Sequence, residues 1–338
     1  VTRAERAVPL AASVIGGGSW GTALAIHLAR SGAAVRLWAR EPEIAEGIRL
    51  TRRNPWYLAD VACPPGVTAT TDPDEAIEGA DLVLVAVPSE FMAVTLKAFG
   101  RLPSGVPVVS AAKGLDPERH VRMSEIVAET LPGRPVAAIS GPTFAREVAL
   151  GRPTACVVAA ADEMLTTRLQ AALGSREFRL YTNRDMVGVE MGGALKNVVA
   201  IATGIADGLD LGENARAALV TRGLAEITRL GVAMGAAPAT LAGLAGLGDL
   251  VLTCTGALSR NRGLGLALAH GRTQAAVEKE TRMIAEGART VTSALWLARR
   301  HGVRMPICTE VGAVLFDGKR PEAALRSLLD RAARPEDD

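Results

Sequence analysis

Short, nearly uninterrupted apolar runs alternate with longer mixed stretches along the first half of the chain. Val14-Ile15 closes one run and Ala34-Val35-Arg36-Leu37-Trp38 forms a second. Further runs lie at Val67–Thr70, 82–87, 106–110, Val136–Ser140, 155–159 and 178–181. Runs this short and apolar read as strands buried on both faces, as in a parallel sheet covered by helices. The stretches between them carry helix signals. Residues 22–30 read as a helix. In Asp72-Pro73-Asp74-Glu75 the first residue can cap, the proline sits at the first helical position, and Glu75 can reach back. Gly79 stops that helix before Leu82-Val83-Leu84-Val85. The first half is predicted to be a doubly wound α/β domain.

After about Asp185 the strand-like runs largely vanish, and Ala-, Leu- and Gly-rich helical stretches continue to Leu329. A helix near 185–207 is expected to join the two parts, which divide as residues 1–190 and an all-α portion, 191–338. A long uncharged run, 230–248, holds five glycines and Pro238 and ends at Asp249. It reads as close-packed or loop structure rather than a membrane span.

The first strand runs into Gly16-Gly17-Gly18-Ser19-Trp20-Gly21, and a helix follows. Gly16, Gly18 and Gly21 match the G-x-G-x-x-G turn in its proper strand–turn–helix setting. The first glycine permits the tight turn, the second admits a pyrophosphate to the backbone, and the third lets helix pack on strand. The positive end of the helix then faces the pyrophosphate. A Rossmann-like dinucleotide site is predicted. At the end of the second strand the sequence reads Trp38-Ala39-Arg40-Glu41. Arg40 can accommodate a 2′-phosphate, which favours NADP, while Glu41 keeps NAD possible.

Composition narrows the ligand classes. Lys and Arg total 38 against 36 Asp and Glu, a net charge of +2, so no bulk field attracts nucleic acid. Aromatic residues are 3% of the chain, too few for a base-stacking platform. Cys63, Cys156, Cys254 and Cys308, like His27, His120, His270 and His301, are scattered without metal-ligand spacing, so no metal is expected. Val1 to Leu10 carries Arg3, Glu5 and Arg6 without a long apolar stretch, so no secretory leader is expected there. A cytoplasmic protein with isolated, reduced thiols is the expectation.

Only five of the basic residues are lysines: Lys97, Lys113, Lys196, Lys279 and Lys319. Where arginine is so favoured, a lysine in an apolar or Gly-rich setting invites a chemical reading, because a desolvated lysine exchanges its proton near neutral pH and arginine does not. Lys113 follows an apolar strand in Ala-Lys-Gly-Leu, and Lys196 lies within an apolar, Gly-containing stretch, 191–201. Each can equally be a snorkelling side chain with its head in water. Lys97, Lys279 and Lys319 read as solvated surface.

Six motifs then occur in order: Gly-Gly-Gly-Ser-Trp-Gly-Thr (16–22), Ala-Lys-Gly-Leu (112–115), Ser-Gly-Pro-Thr-Phe-Ala (140–145), Leu-Lys-Asn (195–197), Gly-Leu-Gly-Asp-Leu (246–250) and Ser-Arg-Asn (259–261). Together they resemble the bacterial NAD(P)-dependent sn-glycerol-3-phosphate dehydrogenases over nearly the whole chain. The resemblance implies a Rossmann-like domain, an all-helical C-terminal domain, a site between them and a homodimer. It implies that Lys196 is the catalytic proton-transfer residue and that Lys113 touches cofactor and substrate. Gly141, Thr143, Lys196, Asp249, Ser259, Arg260 and Asn261 would surround glycerol 3-phosphate. Cofactor contacts would fall to Gly16, Gly18, Ser19, Trp20, Gly21, Arg40, Tyr57, Lys113, Ala145, Arg260, Ile284 and Glu286. Leu58-Ala59-Asp60 departs from the Leu-Pro-Gly of many relatives. Two other readings are a β-hydroxyacid dehydrogenase of the 6-phosphogluconate type and a non-catalytic dinucleotide-binding sensor. The Ser-Arg-Asn and Gly-Leu-Gly-Asp motifs argue against the first, and retention of Lys113, Lys196, Asp249 and Arg260 against the second.

Overall fold

The apolar runs of the first half become strands β1 (Ala11–Ile15), β2 (Ala34–Trp38), β3 (Val67–Thr70), β4 (Leu82–Val85), β5 (Val108–Ser110), β6 (Val136–Ser140), β7 (Thr154–Ala159) and β8 (Phe178–Asn183). The computed structural model describes residues 9–281, 285–332 and 335. Among these the strands form one sheet in the order β3-β2-β1-β4-β5-β6-β7-β8. All four residues of β4 are buried, as a strand covered on both faces requires. The order reverses between β1 and β4, which opens a crevice at their carboxyl ends.

The sheet is mixed rather than wholly parallel, which corrects the expectation from the apolar runs. β7 runs antiparallel to β6, with Ser140 opposite Val157, and β8 then runs parallel to β7. The link from Ser140 to Thr154 holds one short helix, so the chain turns back at the same end of the sheet instead of crossing it.

Helices α1 (Ser19–Arg30), α2 (Pro42–Thr51), α3 (Pro73–Ile77), α4 (Met92–Leu96), α5 (Met123–Thr130), α6 (Ala145–Ala149) and α7 (Glu163–Leu173) connect the strands. Asp72 caps α3 by accepting from the N–H groups of Asp74 and Glu75. Glu75 does not return to the cap backbone. Its carboxylate meets the Thr70 hydroxyl, which in turn accepts from the Asp72 N–H at 3.0 Å.

The second part is α8 (Met186–Gly208), α9 (Gly212–Ala233), α10 (Pro238–Leu241), α11 (Asp249–Thr255), α12 (Arg260–Ala269), α13 (Gln274–Thr281), α14 (Glu286–His301), α15 (Pro306–Phe316) and α16 (Pro321–Leu329). Asp185 caps α8 at Gly188 N, 2.7 Å, and its other oxygen accepts from Ala237 N at 2.8 Å. α8 is buried without a break from Gly188 to Ala206 and packs against α9, α11, α12 and α14. By length and composition α8 and the stretch Pro238–Thr255 would each suffice to cross a bilayer. In this fold α8 is the enclosed core helix. Lys319, expected to be solvated, braces α15 to α16 through Glu310 at 2.5 Å and Ser327 at 2.8 Å.

Candidate active site

The crevice at the carboxyl ends of β1 and β4 is shaped by the glycine turn. Gly16 sits at a φ of +119°, and a side chain there would press within 2.7 Å of the Ala86 carbonyl just beyond β4. Among the described residues no side chain caps α1, which begins at Ser19 and carries no acidic residue in its first turn. Trp20 is fixed by its indole N–H, which donates to the Ala111 carbonyl at 3.0 Å. Beneath the turn lies Asn54, a fully buried residue that the sequence reading missed. Its amide donates to the Gly17 carbonyl at 2.8 Å and to the Thr22 hydroxyl at 2.9 Å, while its oxygen accepts from the N–H groups of Trp56 and Tyr57. That holds the turn and the loop around Tyr57 together. Leu58 takes a left-handed φ of +55° in this loop.

Past the ends of β5 and β6 the chain delivers Lys113 and the Gly141–Thr143 turn. The Lys113 ammonium donates to the Gly141 carbonyl at 2.7 Å, the Thr143 hydroxyl at 2.8 Å and Asp249 Oδ2 at 2.8 Å. Asp249 is fully buried, and it follows a π-helical turn, Leu244–Gly248, before opening α11. Its Oδ1 accepts from Lys196, which reaches across from α8 and also donates to the Thr253 hydroxyl at 2.7 Å. Thr253 was not foreseen. It stands four residues after Asp249 on the same helix face, and that spacing was the available signal.

α8 comes this close because of two glycines beside the lysine. A side chain at Gly192 would lie 2.7 Å from the Ala245 carbonyl of the π turn, and one at Gly193 would lie 2.4 Å from Ser140 Oγ. Asn197, next to Lys196, donates to the Lys113 carbonyl at 3.0 Å and accepts from Asn261 at 2.9 Å. Asn261 Oδ1 accepts in turn from Gly287 N at 2.9 Å. The sheet and the helices α8, α12 and α14 are thus joined through two amides.

Burial pushes the Lys196 ammonium down from an ordinary 10.5 to about 8. Asp249 opposes that shift, and the like charge of Lys113 adds to it. Glu286 opens α14, and its Oε2 is buried with no hydrogen-bond partner among the described residues. Burial raises its carboxyl above the usual range, and the nearby cations Arg260, Lys196, Lys113 and Arg289 pull it back.

The structure therefore brings Lys113, Gly141, Thr143, Lys196 and Asp249 into one hydrogen-bonded cluster, with Asn261 one amide away. Ser259 is the cap of α12, accepting from Arg262 N at 3.2 Å, and Arg260 is the exposed first residue of that helix. Ala145 opens α6 and packs against the core of the sheet. Arg40 lies just past β2 in an ion pair with Glu41. Ile284 lies outside the described residues.

The family profile described as NAD-dependent glycerol-3-phosphate dehydrogenase N-terminus matches residues 11–166, and its C-terminal counterpart matches 185–326. A Rhodospirillum rubrum protein named glycerol-3-phosphate dehydrogenase (NAD(P)+) is 51% identical over 325 residues, covering 96% of this chain and 93% of its own. A protein of the same name from Streptomyces griseus is 48% identical, covering 97% of this chain and 98% of its own. The crystal structure of glycerol-3-phosphate dehydrogenase from Coxiella burnetii is 40% identical with a TM-score of 0.92, over 96% of this chain and 99% of that one. D-mandelate dehydrogenase, at 12% identity and a TM-score of 0.59, shares the fold alone. The chain belongs to the NAD-dependent glycerol-3-phosphate dehydrogenase family.

Proposed function

We propose that this chain interconverts dihydroxyacetone phosphate and sn-glycerol 3-phosphate with NAD(P)H, supplying glycerophospholipid synthesis. The observation that carries the reading is the unequal bonding of the two lysines. An ammonium has three N–H donors. Lys113 spends all three on Gly141, Thr143 and Asp249. Lys196 spends two, on Asp249 and Thr253, and keeps one for a substrate oxygen.

A dinucleotide fits the residues present. A side chain at Gly18 would meet nothing within 4 Å, so space lies open beside the uncapped start of α1. Glu286 Oε2 is a buried acceptor awaiting a donor. Gly16, Gly18, Ser19, Trp20 and Gly21 would hold the pyrophosphate, and Tyr57, Lys113, Ala145, Arg260, Ile284 and Glu286 would make the remaining contacts. Arg40 supports NADP as the preferred form, with NAD also accepted. When bound, the nicotinamide supplies or removes the hydride.

Lys196 as the ammonium donates its proton to the carbonyl oxygen on carbon 2 and stabilises the charge that develops there. As the neutral amine it accepts the hydroxyl proton in reverse. A value of about 8 allows both forms near neutral pH. Asp249 orients Lys196, and Lys113 lends its charge to keep that proton mobile. Gly141, Thr143, Ser259, Arg260 and Asn261 surround the substrate, with Arg260 on the phosphate, whose charge suits a guanidinium at a helix start.

The division into a dinucleotide-binding part, 1–190, and a substrate-binding part, 191–338, falls within the early turns of α8, which makes that helix the rigid link. The family resemblance supports a cytoplasmic homodimer. A cavity of about 1110 Å³ between α8, α9, α15 and α16, lined by Ile205, Leu219, Val232 and Leu328 among others, includes none of the predicted site residues.

Initial rates of NADPH oxidation with dihydroxyacetone phosphate, beside a panel of 2-oxo acids, test the proposal. Turnover confined to the triose phosphate is expected. Turnover confined to the 2-oxo acids would favour the hydroxyacid reading, and binding without any turnover would favour the sensor.

A further inference from the structure

The first residue past β2 packs directly against the glycine turn. A side chain at Gly17 would lie 2.7 Å from the Ala39 methyl, so the next two residues, Arg40 and Glu41, stand at the rim of the dinucleotide crevice. They are bound to each other. Arg40 Nε and Nη2 both donate to Glu41 Oε1, at 3.0 and 2.6 Å, and the guanidinium lies 5.9 Å from the centre of the Phe91 ring. Glu41 precedes α2 without making a capping bond, and the contacts of its carboxylate all fall on Oε1, which leaves Oε2 without a partner among the described residues.

This geometry gives the two side chains opposite preferences. A free 2′-hydroxyl can donate to the open Oε2 while the Arg40–Glu41 pair stays closed. A 2′-phosphate needs the guanidinium that Glu41 occupies, and it meets the Glu41 charge at close range. We propose that Glu41 is a specificity-determining residue: by holding Arg40 it limits selection for the 2′-phosphate and lets one site accept both nicotinamide dinucleotides. The inference rests on the dinucleotide reading above and adds the residue that sets the balance within it.

Calorimetric titration of ADP-ribose and of its 2′-phosphate into the intact protein tests this without turnover. In Glu41→Gln the 2′-phosphate probe should bind about tenfold tighter and plain ADP-ribose a few-fold weaker, because an exposed pair is released and a repulsion removed. A ratio of the two dissociation constants unchanged within about twofold overturns the role of Glu41 while leaving the dinucleotide site intact. Failure of wild type to bind either probe overturns both the role and the dinucleotide reading. Because Glu41 makes no cap, the variant is expected to fold normally, and its melting temperature checks that.

Discussion

Asp249 Oδ1 accepts a hydrogen bond from the Lys196 ammonium across 53 residues of chain, and both residues are buried. The pairing keeps a buried lysine charged near neutral pH, since burial alone favours the neutral amine and Asp249 opposes it. Reduction needs the ammonium, so its kcat/KM should be flat below about pH 8 and fall above it. Oxidation needs the amine and should rise toward the same value, then level. In Asp249→Asn the inflection should move to lower pH, because the group that raises the lysine value is gone. Activity should drop by about 100-fold or more, since positioning and charge are lost together. An unmoved inflection in the variant would detach Lys196 from Asp249.

The approach of α8 to the π turn makes Gly192 a sensitive position. Gly192→Ala would set a methyl 2.7 Å from the Ala245 carbonyl, in the segment that delivers Asp249. Helix propensity favours alanine by about 1 kcal/mol, but overpacking costs about 1–3 kcal/mol, and the rigid carbonyl makes the cost the larger effect. A lower melting temperature and a lower kcat should appear together. Gly263→Ala, where a side chain would meet nothing, should instead gain up to about 1 kcal/mol with kcat unchanged. Thermal melts of both proteins check the contrast.

Arg40→Asp should move preference from NADPH toward NADH. It removes the one cation paired at this rim and sets a second carboxylate beside Glu41, where a 2′-phosphate would be repelled. The measured quantity is the ratio of kcat/KM for the two cofactors, expected to fall by at least tenfold for loss of a charge-assisted contact of roughly 1.5–3 kcal/mol. A ratio that does not fall would mean Arg40 serves neither cofactor.

Much of this was legible in local pattern. The bounds of β2, β3 and β6 follow from apolar runs, and the Asp72 cap from a four-residue signal. Lys113 and Lys196 stood out because their settings were apolar in a chain that otherwise prefers arginine. What escaped the sequence is contact between distant segments. Asn54 reads as an ordinary residue before Pro55, and only tertiary packing shows it gripping the glycine turn. The amide link from Asn197 to Asn261 spans 64 residues. The reversal at β7 depends on where the link after Ser140 lies relative to the sheet, which no period of apolar residues records. Glu75 had a capping partner in sequence and took the Thr70 hydroxyl at the end of β3 instead.

Arg260, exposed at the start of α12, should spend its binding energy on a phosphate that takes no part in bond changes. Dihydroxyacetone without the phosphate should be a very poor substrate. Arg260→Ala should lower kcat/KM for the phosphorylated substrate by about 10–150-fold and that for the truncated one far less. Equal losses on both would assign Arg260 to the cofactor or the fold.

The most direct test is the rate of NADPH consumption with dihydroxyacetone phosphate in wild type and Lys196→Met. Methionine keeps most of the apolar volume and removes the only ammonium in the cluster that retains an uncommitted N–H. Loss of a general acid, with the charge it supplies, should lower kcat by about 10²–10⁴ or more. NADPH binding, followed by its fluorescence, should be preserved. A variant that binds NADPH and retains more than about a tenth of wild-type kcat would contradict the assignment of the proton transfer to Lys196.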